Sequence, residues 1–156
     1  MKTKLFADTN WLVAAYFDQG SRTNTVERAA RKFGGLPWHL PLTVSAEAHN
    51  VFARESGNPH GPEWKRLKAD LGHRLSLEGE WTAMEKKAAE LADRYAHKGT
   101  AGTFDLFTLA AALLGHATHF LSFDTGSNLR TLAALEKLDV IPVLTLDDKQ
   151  RMRQFR

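Results

Sequence analysis

Short apolar runs spaced along the chain constrain its fold more than any other feature: KLFA (4–7), HLPL (39–42), HFLSF (119–123) and VIPVL (140–144), with RLSL (74–77) as a weaker fifth. Runs of this length, bounded by turn residues, suit strands buried in a sheet. Helical patterns separate them. Residues 9–18 place Trp11, Leu12, Ala15 and Tyr16 at helical spacing; 22–33 and 44–56 follow, and 80–98 has an apolar face opposite its charges. Residues 103–115, TFDLFTLAAALLG, are apolar nearly all round, which predicts a helix buried in the centre of the fold. Breakers fall where loops belong, at Gly34-Gly35, in GNPHGP (57–62) and from Gly99 to Gly102. Alternating strands and helices predict an α/β fold, a mainly parallel sheet with helices on both faces.

The chain has 156 residues, which suits one domain spanning 1–156. A chain of that size buries roughly 70% of its unfolded surface, enough for a core without staples. With 43% hydrophobic and 25% charged residues, disordered and fibrous classes are excluded. The absence of cysteine excludes disulfides and thiolate metal sites and fits a reducing cytosol. Asp8, Asn10 and Asp18 interrupt any secretory h-region, and no apolar run approaches the ~18 residues of a membrane span, so the expectation is a soluble cytoplasmic protein. A net charge of +3 and a pI of about 9.3 favour encounter with polyanions such as nucleic acid; the same balance serves simple solubility.

Two of the apolar runs end alike. KLFADTN stops at Asp8 and HFLSFDTGSN at Asp124, each followed by threonine. In open α/β sheets the ligand crevice lies beyond the carboxyl ends of the strands, where strand order reverses. Two more acids join on the same logic. After HLPL, Ser45 is a candidate helix cap with Glu47 in the first turn; Thr103 is a candidate cap with Asp105 in the first turn of the apolar helix. Taken singly, each acid is equally an ordinary N-cap or first-turn residue stabilised by the helix dipole. Taken together, four converging anions repel one another unless a cation holds them, and magnesium or manganese suits oxygen ligands.

In order, FADTN near the start, Glu47 and Asn50 at the next strand-to-helix transition, FDLFTLAAAL late in the chain and FLSFD shortly after resemble the PIN domain, over Lys4 to about Val143. The length and the close pairing of the last two motifs are similar to the VapC-like toxin nucleases of toxin–antitoxin pairs. The resemblance implies a five-stranded sheet in the order 3-2-1-4-5, which sets strands one and four side by side. It implies Asp8, Glu47, Asp105 and Asp124 as catalytic metal ligands for one or two Mg2+ or Mn2+ ions. Thr9, Asn10, Asn50 and Ser122 would support ligands or position water, and Asn128 stands where some relatives carry another acid. The implied chemistry is hydrolysis of RNA phosphodiesters without a covalent nucleophile. A small antitoxin partner and a homodimer follow from the same resemblance.

Substrate contacts are sought in RYAHKGTAG (94–102), where Arg94, His97 and Lys98 precede Asp105 on a flexible stretch, and at Arg130. These charges, with those of the closing RMRQFR, equally suit a solvated surface or an acidic partner. Trp11, Trp38, Trp64 and Trp81 are expected to pack in the core or an interface. The His116-x-x-His119 spacing lacks a nearby acid for zinc. Rival functions are weaker: DTN lacks the second aspartate of haloacid-dehalogenase-like phosphatases, and TGSN carries Asp124 at the mouth of what would be a phosphate loop. A non-catalytic PIN-like module binding RNA or protein is the alternative.

Overall fold

The computed structural model describes residues 1–58, 61–70 and 75–156. Five strands, β1 (Leu5–Ala7), β2 (Trp38–Pro41), β3 (Leu75–Glu78), β4 (His119–Leu121) and β5 (Asp139–Ile141), form one sheet in the order β3-β2-β1-β4-β5. Every pairing is parallel, with Phe6 of the central strand opposite His39 on one side and Phe120 on the other. Of RLSL, Arg74 lies outside the described residues, as do Pro59 and His60 of GNPHGP.

Side-chain alternation divides the core in two. Leu5, Ala7, Leu40 and Leu121 face one layer, where they meet helices α1 (Thr9–Tyr16), α2 (Ser21–Lys32), α3 (Leu42–Ser56) and α4 (Pro62–Asp70). Phe6, Phe120 and Val140 face the other, against α5 (Trp81–Tyr95), α6 (Thr103–Leu114) and α7 (Leu129–Leu135). Each fully buried leucine or phenylalanine contributes roughly 1.5–3 kcal/mol. Helix α6 buries Leu106 and Thr108 through Ala112, and Thr108 shares a 2.8 Å hydroxyl hydrogen bond with Thr43 of α3. That contact ties the two helices that carry Asp105 and Glu47. Among the described residues, no helix is long and apolar enough to cross a membrane.

Departures from the sequence reading have local causes. Helix α4 begins at Pro62, a position where a missing N–H costs nothing, so the residue that ends one breaker run also starts a helix. Strand β5 stops at Ile141 rather than running to Leu144, because Pro142 has no N–H to give the ladder. Helix α3 starts at Leu42 directly after Pro41, so Ser45 is not its cap and Glu47 falls in the second turn. Helix α6 is capped by Gly102, not Thr103, while Asp105 keeps its place in the first turn. Helices α7 and α8 (Leu146–Met152) are short elements for which the sequence pattern raised no expectation; Thr145 and Asp148 close α8 with a reciprocal capping box.

Candidate active site

The order of strands reverses at β1, and Asp8 leaves its carboxyl end as the N-cap of α1, accepting from Thr9 N–H at 2.8 Å. Asp8 N–H in turn donates to Leu121 O at 2.9 Å, joining the ends of β1 and β4. Ser122 completes the joint. Its hydroxyl donates to Asp8 Oδ2 at 2.9 Å and accepts from Asp124 N–H at 3.1 Å. Asn10 adds a second staple, its Oδ1 accepting from Phe123 N–H at 2.8 Å. The two Asp-Thr strand endings are therefore facing walls of one crevice. Asp8, Glu47, Asp105 and Asp124 all line it, in a cleft of about 230 Å³.

Further hydrogen bonds set the acids. Thr9 hydroxyl donates to Glu47 Oε2 at 2.6 Å, reaching from α1 to α3. Asp124 turns back on its own loop, accepting from Gly126 and Ser127 N–H at 2.9 and 3.1 Å and from Ser127 hydroxyl at 2.6 Å. Arg130 and Arg151 brace that loop. Arg130 donates to Ser122 O, and Arg151 to Thr125 O at 2.9 Å.

The electrostatics report unneutralised anions. Burial pushes the Asp8 carboxyl up from 3.8 to about 7; hydrogen bonds from Thr9 and Ser122 oppose this, and the charges of Glu47 and Asp124 add to it. Asp105 is also raised, first by burial and then by the charges of Asp124 and Glu47, with Ser127 opposing. Among the described residues, no three His, Asp or Glu side chains converge closely enough to hold a metal ion as they are turned. The donor chemistry nevertheless fits a hard divalent ion: four carboxylates line one cleft, and two of them, Asp8 and Asp105, are raised by burial and by the charges of Glu47 and Asp124. Glu47 and Asp124 are turned instead to the hydroxyls of Thr9 and Ser127.

A family model for the PIN domain matches residues 5–135. The chain belongs to the PIN domain family. Its fold is similar to that of VapC20 of Mycobacterium tuberculosis, a Sarcin-Ricin loop cleaving toxin, with a TM-score of 0.64 at 17% identity over 85% of this chain and 95% of that one. VapBC2 of Rickettsia felis, bound to a DNA fragment from its promoter, gives 0.64 at 18% identity over 88% and 97%. FitAcB of Neisseria gonorrhoeae gives 0.60 at 16% over 87% and 95%. At these identities the likeness is one of fold. Comparison with curated protein sequences gives no match.

Other residues singled out in this PIN domain's sequence lie elsewhere. Asn50 is exposed outside the cleft lining; Val51 and Arg54 continue the Glu47 face instead. Asn128 caps α7 and donates to Thr100 O at 2.7 Å, and it does not line the cleft. Arg130 is 1% exposed, so it is not an RNA contact: besides Ser122 it meets Pro142 O at 2.8 Å, Val143 O at 3.1 Å and Asp148 at 3.2 Å. Nor is the 94–102 stretch loose. Arg94 pairs with Glu136, Lys98 donates to Phe155 O at 3.3 Å, and Gly99 packs under the Phe155 ring, while His97 is exposed. Trp11 is fully buried and Trp38 and Trp64 pack against the same core; Trp81 is 56% exposed, stacked on Phe107. Arg22, Arg54 and Gln19 of the cleft were missed, because the α1–α2 connection, the start of α2 and the end of α3 reach it only in three dimensions.

Proposed function

We propose that this PIN domain is a metal-dependent ribonuclease, the toxin of a toxin–antitoxin pair. One observation carries the reading. Four carboxylates from the ends of β1 and β4 and from α3 and α6 line one cleft at the strand-order switch, and two are pushed up by burial and mutual repulsion. A cation relieves that repulsion. Membership of the PIN family and a fold shared with VapC20, a Sarcin-Ricin loop cleaving toxin, support RNA as the substrate. The VapBC2 and FitAcB structures support a small antitoxin that covers the cleft. A homodimer in the cytoplasm completes the proposal.

Asp8, Glu47, Asp105 and Asp124 are the residues that would hold Mg2+ or Mn2+. Such an ion, when bound, supplies an activated water and positive charge beside the scissile phosphate. The chain's own groups prepare for it. Asp8 would give up its proton to hold such an ion and Glu47 would exchange the Thr9 hydroxyl for it, while Ser122 keeps the Asp8 and Asp124 walls in register. Asn10 holds the start of α1 against β4, so the walls do not part.

A second reading, a PIN-like module that binds RNA or protein without cleaving it, draws on the turned-back acids: Asp8, Glu47 and Asp124 each accept a hydrogen bond from a protein hydroxyl. One experiment separates the two. A panel of structured RNAs is incubated with the protein in Mg2+, Mn2+ or EDTA, beside an Asp8→Asn/Asp105→Asn variant. Metal-dependent cleavage that the variant lacks is expected; equal inertness of both, with RNA binding retained, overturns the nuclease.

A further inference from the structure

Two cations in this acidic cleft have no acid. Arg22, in the first turn of α2, and Arg54, in the last turn of α3, both line it alongside the four carboxylates. Neither guanidinium is within ion-pairing distance of a carboxylate among the described residues. Arginines beside four anions ordinarily pair with them. Here both stand apart and are exposed.

Arg22 is held by a ring instead. Its guanidinium lies 5.4 Å from the centroid of Phe123, and Phe123 stacks on the fully buried Trp11 at 5.0 Å and 14°. The column Trp11, Phe123, Arg22 thus runs from the core to the cleft. It fixes the guanidinium plane one residue from Asp124 while leaving its N–H groups unspent, the form in which arginine grips a phosphate through two parallel bonds. Arg54 is set by helix geometry. It follows Glu47 by seven residues on the same face of α3, with Val51 between, which places it about 10 Å further along the axis. Both residues line the same cleft, so Arg54 extends the cationic edge beyond the carboxylates.

We infer that Arg22 and Arg54 bind backbone phosphates of a single RNA strand laid through the cleft. The inference rests on the ribonuclease reading for the identity of the strand. The cleft, about 230 Å³, has room for one stretch of backbone beside the carboxylates. The two arginines also meet a physical need: four carboxylates repel a polyanion, and local cations are required to bring it in.

The test is the salt dependence of binding. A labelled single-stranded RNA is titrated by fluorescence anisotropy, in Mg2+, into Asp105→Asn protein carrying Arg22→Gln, Arg54→Gln, both, or Lys86→Gln on α5 as a distant control. DNA of the same sequence runs in parallel. Each arginine removed flattens the slope of log K against log salt by about 0.7, and the pair by about twice that. Lys86→Gln leaves it unchanged. In otherwise wild-type protein each Arg→Gln change raises KM for RNA cleavage about tenfold with kcat kept. Circular dichroism confirms folding. Unchanged slopes in proteins that cleave RNA normally overturn the arginine role and leave the nuclease standing. Flattened slopes in a protein that cleaves nothing do the reverse. No measurable RNA binding overturns both, and equal effects on DNA show that the phosphate, not the ribose, is read.

Discussion

Replacing Asp8 by asparagine should stabilise this protein while removing its activity. Asp8 is 7% exposed, and its carboxyl is pushed from 3.8 to about 7 in the folded state. That gap of about 3 pH units corresponds to about 4 kcal/mol. The sign follows from proton counting. Between pH 3.8 and about 7 the folded protein holds a proton that the unfolded chain has lost, so stability from this residue is intact below 3.8, falls as pH rises, and is fully lost above 7. Asparagine mimics the protonated acid. Its Oδ1 still accepts from Thr9 N–H, and the Ser122 hydroxyl, now 2.9 Å from Asp8 Oδ2, can turn to accept from the amide. In EDTA at pH 8 the variant should therefore exceed wild type by up to about 4 kcal/mol, about 2 M in urea midpoint for a slope near 2 kcal/mol/M. At pH 4 the advantage should vanish. Urea unfolding followed by tryptophan fluorescence across pH 4–8 reads both. A variant no more stable than wild type at pH 8, or a gap that does not change with pH, refutes the burial argument. Added Mg2+ should raise the wild-type midpoint and leave the variant's where it was.

Removing Arg130 by Arg130→Ala should cost about 3–5 kcal/mol in the same assay, because buried Asp148 and the carbonyls of Ser122, Pro142 and Val143 lose their donor together. Replacing Arg130 and Asp148 jointly by Met and Leu should recover only part of this, since the carbonyls stay unmet; full recovery would refute the network. Ser122→Ala removes a hydrogen bond that holds Asp8 down, so the acid limb of the cleavage profile should move to higher pH, and an unmoved limb would separate Ser122 from Asp8. Gly99→Ala places a methyl 2.7 Å from Phe155 Cζ in a packed site and should cost about 1–3 kcal/mol, read from the urea midpoint.

Asp8 and Asp105 were legible because each stands at a boundary that periodicity marks: one ends an apolar strand, the other is the lone charge at the head of an apolar helix. Glu47 was found at the right place for an inexact reason, since α3 begins three residues before Ser45 and Glu47 reaches the cleft from the second turn. Arg130 misled because a charged side chain reads as surface; its partner Asp148 lies 18 residues on and enters through α8, a helix the pattern did not announce. Arg94 and Lys98 misled for a similar reason, as Glu136 and the Phe155 carbonyl meet them from distant parts of the chain.

The sequence by itself determined the strands, most of the helices and the acids at their junctions, because hydrophobic periodicity and chain punctuation are local and survive in one dimension. With the family resemblance it also carried the order of the sheet. Only the tertiary structure decided which charges stand free and which are spent. The acids gather because β1 and β4 pair across more than a hundred residues of chain, and Arg22 and Arg54 reach them because α2 and α3 pack on the same layer. Pairing, burial and repulsion depend on distances in space, and no spacing along the chain records those.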